Sequence, residues 1–187
     1  PLKNLSSLIN FPEEYCAKLA KLIYQGAICI TIALKKELNS KYYWMNIIKP
    51  KLSFGAVIEH TNFISKKEYD YHTLVYLGSY PDFSNSVWKL SEEEIFEKYF
   101  SDLKKIFPHI SEEDIIWKKV GRAPNVGLVY NTNILTNIPE IETPIKNLFI
   151  GGMFNSYPER SIDLSALLGI KMAQKADQVS AYLNKLK

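Results

Sequence analysis

An α+β fold, a mostly antiparallel curved sheet with helices packed on it, is predicted by three features of this 187-residue chain. Apolar, β-branched runs recur through the first half with connections too short for helical crossovers, which favours antiparallel neighbours. A strong pattern of helical period occupies residues 91–107. The last third ends in a strand-loop-helix whose short strand has no evident parallel partner in the sequence, although a strand feeding such a helix ordinarily joins a parallel sheet.

The elements follow in order. Residues 11–24 place Pro12 near a helix start, acidic Glu13 and Glu14 in the first turn, and apolar Tyr15, Leu19, Leu22 and Ile23 on one side, with Gly26 as the stop. This predicts a short amphipathic helix. Residues 27–34 are apolar at both parities, as in a central strand covered on each side. Three further strands are expected at 42–48, 54–60 and 72–80, joined by turns at Lys49 and Pro50 and at 65–68. Ser91 and Glu94 match a capping box, and Ile95, Phe96, Tyr99, Phe100, Leu103 and Ile106 continue its helix until Pro108 ends it. Strands are predicted at 115–120 and 126–130, followed by an extended connector, 136–146, with Pro139 and Pro144. Residues 148–150 then form a short buried strand.

Composition narrows the function. With 23 basic and 20 acidic side chains the net charge is +3, which is no electrostatic footprint for nucleic acid. Cys16 and Cys29 match neither a disulfide framework nor a metal site, and both read as small core residues in a reducing, cytoplasmic setting. No run of eighteen apolar residues suggests a membrane span, and no signal peptide is evident. A chain opening at Pro1 rather than Met is expected to be a piece of something longer. Its oligomeric state is open, a homo-oligomer included.

Two places could carry chemistry. At 147–173 an apolar strand runs into Gly151 and Gly152, then a polar loop with Pro158 and Arg160, then a helix opening on Ser161 or Asp163. Two residues without a Cβ let a ligand approach the backbone, and the helix start offers free N–H groups and positive dipole to an anion. As a bare pattern the same residues make a turn and an N-cap worth about 1 kcal/mol. Gly169, inside that helix, costs about 1 kcal/mol against alanine unless something packs closely on it. The second place is Glu59, His60, Thr61 and Asn62 at a strand end, with Tyr42, Tyr43, Trp44, Tyr69, Tyr71, Tyr76 and Tyr80 nearby. Polar groups among rings at the mouth of a sheet suit a small organic substrate. His60 could act as a base or orienting donor, against the plainer reading of a structural histidine. No histidine or carboxylate spacing supports a metal.

These residues resemble the FAD-dependent amine oxidase, protoporphyrinogen oxidase and phytoene desaturase superfamily. Leu148, Phe149, Ile150 and Gly152, with Leu168, Gly169 and Ala173, are similar to its carboxy-terminal flavin-binding segment. The runs 43–48, 54–63 and 74–80 are similar to its substrate-domain strands, and 141–148 to its approach to the last flavin-contacting strand. The chain departs from the pattern at Met153, where the family has Asp. It also contains no Gly-x-Gly-x-x-Gly phosphate loop.

The resemblance implies a substrate-binding α+β domain at 1–140 and a flavin-binding strand-loop-helix at 141–187 that would complete an FAD-binding domain. The amino-terminal part of that domain is expected elsewhere in the same protein. It further implies flavin-mediated hydride abstraction from an organic substrate, with FAD binding weak or absent in this piece alone. Gly151, Gly152, Met153, Arg160, Asp163, Leu164 and Ser165 would face the cofactor, Tyr43 and Tyr76 the substrate, and His60 and Asn62 would be catalytic. Two alternatives stand beside it: a flavin-dependent sugar-nucleotide mutase relative, and a non-catalytic ligand-binding or interaction domain on the same scaffold.

Overall fold

The computed structural model describes residues 2–48, 51–158 and 161–185. Two compact units are formed, Gln25–Val126 and the combination of Pro1–Tyr24 with Gly127–Lys187.

The first unit is α+β, as expected. Its strands β1 (Tyr24–Leu34), β2 (Trp44–Asn46), β3 (Ala56–Glu59), β4 (Thr73–Ser79) and β5 (Ile115–Leu128) form one sheet in the order β2-β3-β4-β1-β5. The pairs β2/β3, β3/β4 and β1/β4 are antiparallel. At the other edge Lys35 N donates to Asp114 O, and Gly26 approaches Ala123 O. The late end of β1 thus meets the early end of β5, so this pair is antiparallel too.

Alternation sorts the side chains. Ile28, Ile30, Ile32, Leu34, Val57, Val75 and Leu77 point to one face and pack with Ile95, Phe96, Tyr99, Phe100 and Leu103 of helix α1, the amphipathic Glu92–Ile106. The predicted capping box is present: Ser91 Oγ accepts from Glu94 N at 3.2 Å while Ser91 N donates to Glu94 Oε2 at 2.7 Å.

Several expectations are corrected. β1 is not covered on both sides, since Cys29, expected in the core, is exposed. Apolar composition alone does not separate a doubly covered strand from one with a bare outer face. The strands expected at 115–120 and 126–130 are one 14-residue strand; at a sheet edge Pro124 costs little, because an edge strand leaves half its backbone groups unpaired. β3 stops at Glu59, and the chain continues through short 3-10 helices at His60–Asn62 and Lys66–Tyr69, the second capped by Ser65 Oγ accepting from Lys67 N.

The second unit contains Glu13–Ala20 (α2), the single turn Ile134–Asn137 (α3) and the 24-residue Ile162–Lys185 (α4). Leu2, Leu19, Leu22, Leu128, Ile134 and Ile150 form its core. The helix expected over 11–24 ends at Ala20, and Tyr24 already belongs to β1. The connector expected at 136–146 overlaps the end of α3. The strand expected at 148–150 is reduced to one bridge between Glu142 and Phe149. No neighbouring strand among the described residues pairs with it further.

Candidate functional site

Cross-strand register builds the site on the outer face of the sheet. Trp44 pairs with Ile58, Ile58 with Tyr76, and Tyr76 with Thr31. One step along the strands, Asn46, Ala56, Gly78 and Cys29 form a second row of the same parity. That row is made of small side chains, so it leaves a shallow floor beside the bulkier row.

At the Glu59 end of β3 the 3-10 segments raise a wall of rings. His60 Nε2 lies 2.9 Å from Tyr69 Oη. The His60 ring meets Tyr76 edge-on at 5.8 Å, and Tyr43 lies 6.4 Å from His60 and 5.1 Å from Phe63. His60, Tyr43 and Tyr76, proposed from sequence for substrate and catalysis, are therefore neighbours. The Tyr76 phenol is pushed above its ordinary value, first by partial burial and then by Tyr69, Cys29 and Tyr43. It remains a protonated donor throughout the neutral range.

Behind the wall sits a buried support. Glu59, 1% exposed, accepts from Leu38 N at 3.2 Å and from Asn62 Nδ2 at 3.0 Å. Burial pushes its carboxyl up, with the Leu38 and Asn62 hydrogen bonds opposing. Asn62 Nδ2 also donates to Ser40 O at 2.7 Å and Tyr42 O at 3.2 Å. The donors of Asn62 are thus spent on tying the segment before β2 to the turn that carries His60. Thr61 Oγ1 accepts from Leu74 N at 3.3 Å, fastening the same turn to β4. These hydrogen bonds of Glu59, Thr61 and Asn62 fasten the turn that carries His60.

Sequence reasoning missed the pairing role of Tyr69. Residues 65–68 read as a turn, and only the Ser65 cap, a polar residue opening a short helix, could have suggested that Tyr69 is swung toward His60. It also missed a cleft of about 580 Å³ at the other end of β3, whose lining includes Trp44, Asn46, Lys51, Ser53, Gly55, Ala56, Gly78, Tyr80 and Lys98.

The glycine junction looks different from its sequence pattern. Gly152 has φ 171°, an extended backbone open to any residue. A Cβ on Gly151 would meet Met172 Sδ, the movable part of a flexible side chain. Met153 is half exposed in the short helix Met153–Asn155. At the start of α4, Leu164 N points to Ser161 Oγ at 3.4 Å, while Ser165 N and Oγ both donate to Ser161 O. The Asp163 carboxyl is held below its ordinary value, foremost by the Ser161 hydroxyl. This exposed carboxylate competes with any phosphate for the positive helix end. Gly169, whose helical cost close packing would offset, has open space around the position of a Cβ and is a tolerated glycine. Arg160 lies outside the described residues. No group of three or more His, Cys, Asp or Glu able to hold a metal ion occurs among the described residues, and none of their helices is long and apolar enough to cross a membrane.

No protein-family model matches the chain, and no curated protein matches it by sequence. Solved structures do. A protein from Exiguobacterium sp. 255-15 assigned as a protoporphyrinogen oxidase superimposes with TM-score 0.63 at 13% identity over 87% of this chain and 37% of its own. An oxidoreductase from Methanosarcina mazei gives 0.58 at 20% over 87% and 36%. A reduced UDP-galactopyranose mutase gives 0.56 at 14% over 67% and 27%. The chain thus shares its fold with these two oxidoreductase-type proteins and a mutase, and spans 27–37% of their length.

Proposed function

We propose that this chain is the substrate-binding part of a flavin-dependent oxidoreductase, with the outer sheet face turned to an organic substrate. The carrying observation is that face: the apolar central strand β1 leaves Cys29 exposed beside a small-residue floor, while His60, Tyr69, Tyr43 and Tyr76 stand at its end. Fold likeness supports the class, and the site must supply the chemistry.

The residues fit the two ends of the cofactor unequally. A flat ring system suits a face floored by Ala56 and Gly78 and bordered by Tyr76. The nucleotide end finds no Gly-x-Gly-x-x-Gly in the sequence, Met153 where a carboxylate would bind ribose, and Asp163 at the helix start. The diphosphate is therefore proposed to be held by polypeptide outside these residues. When bound, the flavin would supply the two-electron redox capacity that no side chain here has.

This chain's own part is to bind, orient and move a proton. Tyr43 and Tyr76 offer ring faces and a phenol donor to the substrate. His60, oriented by Tyr69, accepts a proton from a substrate N–H or O–H. Asn62 acts at one remove, through the turn that carries His60. In the flavin-loaded, full-length protein, His60→Ala is expected to slow substrate-dependent bleaching of the flavin about a hundredfold or more, and Tyr69→Phe by less, with Cys29→Ser close to unchanged. Equal rates in all three would remove the proton-transfer role.

The likeness to UDP-galactopyranose mutase favours a second reading, in which a nucleoside-diphosphate sugar occupies the face and no net oxidation follows. Stoichiometric product formation without flavin bleaching or oxidant consumption would select it.

A further inference from the structure

The cleft at the start of β3, at the opposite end of that strand from His60, has a chemistry of its own. Its lining includes Lys51 and Lys98 and no carboxylate. Neither ammonium has an ion-pair partner among the described residues. Three carboxylates nearby in sequence are engaged elsewhere: Asp82 by Ser84 N and Oγ, Glu94 by the capping box, and Asp102 by Ser53 N and Oγ together with Lys105 Nζ. Two ammonium groups without an ion-pair partner among the described residues therefore border one concave space.

The remaining lining describes the rest of a ligand. Trp44 is half exposed, and its indole is steadied by Nε1 donating to Asn46 Oδ1 at 2.8 Å. Tyr80 adds a second exposed ring. The floor at Gly55 is empty, since a Cβ built there meets nothing within 4 Å. A volume of about 580 Å³ lies within the usual range of small-molecule sites.

We propose that this cleft binds a small organic anion with a flat, unsaturated body, its carboxylate or phosphate held by Lys51 and Lys98 and its body lying against Trp44 and Tyr80. Aromatic faces supply apolar contact area, and the lysine pair fixes which end enters. The site belongs wholly to Gln25–Val126; it shares Ala56 and Gly78 with the floor proposed above for a flat ring system, but the four residues that carry this proposal, Lys51, Lys98, Trp44 and Tyr80, have no part in that reading.

The test is calorimetric titration of the 187-residue chain with naphthoate, naphthyl phosphate and neutral naphthamide. Saturable binding of either anion, weaker binding of the amide, and loss of affinity with added salt are expected. The stronger anion identifies the carboxylate or the phosphate head. Lys51→Gln and Lys98→Gln should each weaken anion binding about three- to fivefold, the size of one exposed ion pair. Gly55→Leu, which projects into open space, should abolish binding with the far-ultraviolet circular dichroism unchanged. Binding of neither anion, equal binding of naphthamide, or indifference to the lysine and Gly55 substitutions would overturn the proposal.

Discussion

At the scale of single residues, Asp114 shows how one carboxylate joins two parts of the larger unit. Its Oδ2 accepts from Ser111 N at 2.8 Å and Ser111 Oγ at 2.9 Å, and Lys36 Nζ lies 3.0 Å from Oδ1. Led by the Ser111 N–H bond, these contacts lower its pKa from 3.8 to about 2. A depressed folded-state pKa stabilises the fold above the unfolded value and loses that stability as pH falls toward the folded one. Denaturant midpoints measured between neutral pH and pH 2 should therefore fall less steeply for Asp114→Asn than for the wild type; parallel curves would show that the contacts contribute nothing. Gly26 is a second such point. A Cβ there would lie 2.2 Å from the Trp88 ring, which is fixed by Nε1 donating to Asp82 O at 2.8 Å. Gly26→Ala should cost about 1–3 kcal/mol by overpacking, and Trp88→Leu should relieve most of it. A thermal midpoint unchanged by Gly26→Ala would show that the ring yields freely.

Among the elements, helix α1 was the most legible in the sequence, because its cap, its apolar stripe and its terminating proline all agree. Ser91→Ala should destabilise the protein by about 1 kcal/mol, measured by urea unfolding, whereas no loss would mean that core packing alone fixes the helix start. The strands were legible in place but not in extent. β5 carries Gly121 and Pro124 in its interior and reads as two strands, yet the edge of a sheet accommodates both. β1 reads as doubly covered because Ala27, Cys29 and Thr31 are compatible with either environment, and only the register with Tyr76 and Gly78 assigns them to the outer face. The same limit applies to the site. Glu59, His60, Thr61 and Asn62 stood out as a polar cluster, but their roles diverge once three of them are seen to be hydrogen-bonded into the scaffold. Lys51, Gly55 and Lys98 gave no sequence signal, since the helix that carries Lys98 lies more than forty residues beyond the loop and strand entry that carry the other two.

For the whole molecule, the account joins an α+β sheet shared with oxidoreductases and a mutase to an outer face that carries rings, one histidine and a small-residue floor. The glycine junction and α4 contribute least: Gly152 has an extended backbone open to any residue, Asp163 occupies the helix start, and Ile162 and Ile170 are left exposed. The most direct measurement is the visible absorption spectrum of the full-length natural protein, purified and then incubated with FAD. The account predicts the two-banded spectrum of a bound flavin, perturbed by Tyr76→Ala on the outer sheet face. A colourless protein that takes up no flavin would contradict it.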